Sequence, residues 1–68
     1  MFSCKLVGNN LVISTKPWKE YQYIAKKNNK HIQMGLAKNN SKIYLSNGEW
    51  KVIFYFRTNV IKIYEVEI

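Results

Sequence analysis

The 68-residue chain holds one His, one Cys, four Glu and no Asp, so its catalytic means are few. Metal centres need several His, Cys or carboxylate ligands brought together, and His31 with Cys4 falls short of such a set. Acid–base work needs paired carboxylates, which Glu65 and Glu67 supply only if another Glu converges on them. Phosphate-cradling loops need clustered glycines, and the three here are isolated. The composition leaves open one catalytic reading, a metal-free ribonuclease built from His31, Lys, Tyr and Arg57. The expectation is a non-enzyme with no metal and no cofactor. A lone Cys4 within an alternating apolar pattern is expected to be a buried structural thiol. With no possible internal disulfide, an intracellular, cytoplasmic setting is the simplest expectation, in a host cell if the source is viral.

Binding chemistry is better supplied. Eleven cations face four carboxylates, giving a net charge of +7 on one small domain (residues 1–68). Such an excess attracts polyanions: nucleic acid first, an acidic protein or anionic surface second. Along residues 42–64, Lys42, Lys51, Arg57 and Lys62 alternate with Tyr44, Tyr55 and Tyr64. Cations replace counterions along phosphates, and tyrosine rings on a sheet offer platforms for stacked bases. Lys26, Lys27, Lys30 and His31 add a basic cluster around Asn28-Asn29. The expected function is nucleic-acid binding, to DNA or RNA, through these eleven side chains. The alternative is a protein-interaction or inhibitor module of viral or mobile-element type. It would anchor on Ile53, Tyr55, Tyr64 and Val66, steer toward an acidic partner with its lysines, or use the same patch for a symmetric dimer. Against both stands plain solubility, since an AT-rich genome alone enriches Lys and Asn.

The elements that would position these groups are marked out by asparagine. The eight Asn residues fall in five clusters: "GNNL", "KKNNKH", "KNNS", "SNGE" and "RTNV". Asn adopts positive φ more readily than any residue but Gly, which tight hairpin loops demand. Two-residue loops centred on 9–10, 28–29, 39–40, 47–48 and 58–59 would pair like faces: Leu6 with Ile13, Tyr23 with Met34, Leu36 with Ile43, Leu45 with Trp50, and Phe54 with Ile63. The predicted fold is all-β. It is an antiparallel up-and-down meander of six to seven short strands, near 2–8, 11–16, 20–27, 30–38, 41–46, 49–57 and 60–67, curled into a small barrel or folded over. The alternative is α+β, with a short helix near 17–28 opening at Pro17.

The predicted inner face is Leu6, Ile13, Tyr23, Ile32, Met34, Leu36, Ile43, Leu45, Trp50, Val52, Phe54, Phe56, Ile61 and Ile63. Trp18 is expected in the core or capping a barrel end. One misfit remains: this pattern turns Glu65 and Glu67 inward, unless a bulge near Tyr64 or fraying past the edge of the core intervenes. No apolar run reaches the length of a membrane span.

Overall fold

The computed structural model describes residues 2–68, and every regular element in them is a strand. In chain order these are β1 (Ser3–Val7), β2 (Asn10–Ser14), β3 (Glu20–Lys27), β4 (Lys30–Lys38), β5 (Lys42–Tyr44), β6 (Glu49–Phe56) and β7 (Asn59–Glu67). They form two antiparallel sheets, one ordered β1-β2-β5 and one ordered β4-β3-β6-β7. The fold is thus all-β and folded over, not a closed barrel. Residues 20–27 are strand and not helix, and among the described residues no helix is long and apolar enough to cross a membrane.

Asparagine does make the turns, although not all where expected. Asn28 and Asn29 both hold positive φ (51° and 66°), the conformation the tightest hairpin loop needs. Asn40 (φ 69°) turns the chain between β4 and β5. The β1–β2 loop is Gly8-Asn9, one residue earlier than predicted, with Gly8 at φ 61°. The β6–β7 loop is Arg57-Thr58, and Arg57 itself takes φ 60°.

Two expected hairpins do not form. The third link carries the chain out of the large sheet, so β5 pairs with β2 and not with β4 or β6. Backbone bonds hold the crossing segment along β2: the Asn40 N–H donates to the Ile13 carbonyl, the Ile13 N–H to Ser41, and the Leu45 N–H to Asn9. The Asn9 side-chain amide also donates to the Leu45 carbonyl (2.8 Å). The place beside β3 is taken by β6, which sets Val52 against Ala25 and Phe54 against Tyr23.

Two bulges then decide which face each outer strand shows. Between Ala25 and Lys26 the register to β4 slips, leaving Ile32 unpaired. A similar slip near Phe54 and Tyr55 leaves Ile61 unpaired on β7. Each bulge exchanges the two faces of the strand beyond it. Tyr23 therefore lies opposite Gly35 and Tyr21 opposite Ala37, instead of Met34 and Leu36. On β7 Tyr64 and Val66 turn inward and Glu65 and Glu67 outward, so the misfit is relieved by a bulge at Ile61 and not near Tyr64. Burying two unpaired carboxylates would cost several kcal/mol each (~), which the slip avoids.

The core between the sheets holds Leu11, Ile13, Ala25, Ala37, Ile43, Leu45, Trp50, Val52 and Phe54. Of the predicted inner residues, Ile32, Met34, Leu36, Ile61 and Ile63 are instead exposed. Buried polar groups are matched: the Thr15 hydroxyl donates to the Tyr21 oxygen (3.2 Å) and the Trp50 indole N–H to the Ser46 carbonyl (2.6 Å). Phe54→Ala removes a fully buried ring and should lower the unfolding free energy by about 3–5 kcal/mol, whereas Met34→Ala should change it by less than about 1 kcal/mol. Urea unfolding followed by fluorescence measures both, and comparable losses at the two positions would contradict this division of the faces.

Candidate nucleic-acid interface

The folded chain distributes the eleven predicted binding residues over several places. Lys42 and Tyr44 stand on the outer face of the small sheet, both exposed. Lys51 and Tyr55 lie half-buried on the outer face of the large sheet. Arg57 is exposed in the β6–β7 turn. Tyr64 packs inward against the core, so its ring is no open platform. Lys62 faces the same inner side, close enough to influence the Cys4 thiol. Lys26, Lys30 and His31 gather at the β3–β4 tip, while Lys27 turns in to donate to the Ser46 hydroxyl (3.0 Å) and lies 5.8 Å from the Trp50 ring centre.

The predicted neighbours change with the register. Lys51 pairs across strands with Glu65, Ile53 with Ile63, and Tyr55 with Val60. The single interleaved patch of three tyrosines and four cations is therefore not assembled.

A different grouping is. Trp18 is 75% exposed, neither in the core nor capping it, and the Lys16 ammonium lies 5.6 Å from its ring centre. Nearby in the chain, the Lys19 ammonium stands 4.6 Å from the Phe56 ring and the Arg57 guanidinium 5.6 Å from the same ring. Three cations and an open indole thus share the end of the molecule where the β2–β3 link meets the β6–β7 turn. The sequence signal was "KPWK": Pro17 keeps the link out of a regular ladder, so Trp18 has no strand position from which to enter the core. The Lys19 N–H donates to the Lys16 carbonyl (3.0 Å), closing the turn on which the indole stands.

From this end the small sheet extends as a surface with no carboxylate. Its outer rows are Ser3 with Ser14, Lys5 with Val12 and Lys42, and Val7 with Asn10 and Tyr44. All four Glu residues belong to the large sheet, on β3, β6 and β7. Of these, Glu20 alone lies toward the Trp18 end, and its cross-strand neighbour is Lys38. The positive field is therefore least cancelled over the small sheet and the β2–β3 link.

The chemistry elsewhere is sparse. Among the described residues no three His, Cys, Asp or Glu side chains come together as a metal site. Comparison with protein-family models, curated proteins and solved structures gives no match to this chain.

Cys4 packs against the edge of the core but is only half-buried, less than a fully buried structural thiol would be. Burial pushes its pKa up, partly offset by the Lys62 ammonium. The neutral thiol is thus favoured in the folded state, and the stability this contributes is lost as pH rises through the alkaline thiol range. Cys4 should alkylate more slowly at pH 8 than in the urea-unfolded chain, and Lys62→Ala should slow it further by removing the cation that favours thiolate. Iodoacetamide kinetics read by mass spectrometry test both; faster reaction in Lys62→Ala would reverse the assignment.

Proposed function

We propose that the protein is a non-catalytic binding module for single-stranded nucleic acid. The strand would run over the small sheet and the β2–β3 link. Trp18 and Tyr44 stack on bases, while Lys5, Lys16, Lys19, Lys42 and Arg57 contact phosphates. The observation that carries this reading is Trp18: an exposed indole with a lysine over it, on the side of the molecule with fewest carboxylates. Leaving an indole in water forgoes about 2–3 kcal/mol of burial, which a stacked base recovers. Tyr44, 63% exposed at the far end of the small sheet, extends the platform. Single strands are favoured over duplex because stacking on a side chain needs an unpaired base face. The β3–β4 tip is a weaker candidate, since Glu65 and Glu49 border Lys26 and Lys51 there.

Binding of a fluorescent single-stranded oligonucleotide should weaken steeply with salt, with a slope of log K on log salt of about −3 if four or five of these cations engage. Trp18→Ala should weaken it by about 5- to 100-fold without loss of fold. Lys5→Ala with Lys42→Ala should flatten the slope by about 1.4 while lowering affinity for every sequence alike. Equal affinity for polyglutamate, or indifference to Trp18→Ala, would overturn the reading in favour of an acidic protein partner.

A further inference from the structure

The outer face of the large sheet is unlike the rest of the surface. Across its middle run Met34, Ile24, Ile53 and Ile63, one from each strand, with Leu36, Gln22, Tyr55 and Val60 in the next row. Met34 is 68% exposed, Leu36 58% and Ile63 50%. A groove of about 610 Å³ opens in this face between Ile24, Met34, Leu36 and Tyr55, with Gln22 and Arg57 also on its lining. With strands about 4.8 Å apart and residues about 3.3 Å apart along them, these two rows cover roughly 250 Å² in plan, and roughly 400 Å² with the charged row at their end. A contiguous patch of a few hundred Å² is about the largest a soluble monomer exposes, and such a patch is often functional.

Its charged border indicates what covers it. One end of the face carries the row His31, Lys26, Lys51, Glu65, read from β4 across to β7. Beyond that row, the β7 corner ends in the cross-strand pair Glu49 and Glu67. The charge thus runs from basic at one corner to acidic at the other, along a single edge.

A twofold axis lying parallel to the strands, between two such faces, places β4 over the partner's β7 and keeps the rows in step. Each basic tip (Lys26, His31) then meets the partner's acidic corner (Glu49, Glu65, Glu67), twice over. In the apolar rows, Ile63 and Val60 of one copy reach the groove beside Met34 and Leu36 of the other. The Lys26 and Lys51 stems lie mid-row, and lysine stems reach an interface rim to keep the ammonium in water.

We infer that the chain forms a symmetric dimer by packing the outer faces of two β4-β3-β6-β7 sheets, with each β3–β4 tip over the acidic corner of the other copy. Sheets that pack face to face lie about 10 Å apart with strands within about 30° of each other. Allowing for side-chain relief, the pair would bury on the order of 1,200 Å², the lower limit for specific interfaces. No other partner is needed to supply the complementary charge, because the face carries both signs on opposite corners.

Sedimentation velocity at about 100 µM, a concentration that would populate even a weak dimer, should give the mass of two chains. Met34→Lys or Ile63→Lys should shift it to one chain with the circular dichroism unchanged, since both side chains are exposed and outside the core. Lys26→Glu with His31→Glu should weaken the dimer at least about 10-fold, and adding Glu65→Lys with Glu67→Lys to the same chain should restore it. A wild-type monomer at that concentration would overturn the inference and assign the face to a different protein. A dimer indifferent to Met34→Lys and to the charge reversal would place the contact on another surface.

Discussion

The placement of Tyr23 over Gly35 governs more of this molecule than any other contact. A Cβ at position 35 would lie 3.1 Å from the Tyr23 ring, so the ring occupies the space the glycine leaves. Tyr21 similarly lies across from the fully buried Ala37. Aromatic rings set over small residues in this way cover backbone that would otherwise be bare, and they specify a register. With Tyr23 matched to Gly35, a loop of only Asn28-Asn29 leaves one residue too many on β4, and Ile32 is displaced as the bulge. Everything beyond it follows. Met34 and Leu36 turn outward, the inner layer beneath β4 thins to small side chains, and the small sheet can close over Ala37 and Ala25.

The alternation of apolar residues was legible in the sequence, and so were the strands, because both depend on period two and on turn chemistry. Asn28, Asn29 and Asn40 took the left-handed conformations their type favours. Pairing was less legible, because a bulge costs little locally and reverses a whole strand. The 30–38 segment has Ile32, Met34 and Leu36 on one face and Gln33, Gly35 and Ala37 on the other. By hydropathy alone the first set belongs inside. What overrules it is the size of the tyrosines opposite, a relation between strands that no single-strand pattern contains. The 60–67 segment offered a clearer hint, since Glu65 and Glu67 could not be left inside. A bulge or a frayed end was needed there, and the structure resolves it with a slip at Ile61.

The candidate site failed to assemble as read for the same reason. Tyr44, Tyr55 and Tyr64 share a parity only if β5, β6 and β7 are consecutive neighbours with unbroken register. Once β5 leaves for the small sheet and β7 slips at Ile61, the three rings face three different ways. Trp18 was the opposite case. A bulky apolar residue in a small domain is expected inside, and only its position between Pro17 and two lysines argued otherwise.

Two surfaces of contrasting chemistry result, and their separation has a physical origin. The three acidic residues of β6 and β7 are held to the large sheet by their strand parity, and the apolar residues displaced from the core emerge beside them. The small sheet, only three strands wide, keeps its inner positions for Leu11, Ile13 and Ile43 and leaves lysine, serine and tyrosine outside. The bulges that make the large sheet's face apolar thus also confine the negative charge to it. On the border of that face Glu49, Glu65 and Glu67 offset Lys26, Lys51 and His31, so it is less positive than the small sheet. The polyanion is left to the opposite side, where Lys5, Lys42 and the Trp18 link meet no carboxylate of their own sheet.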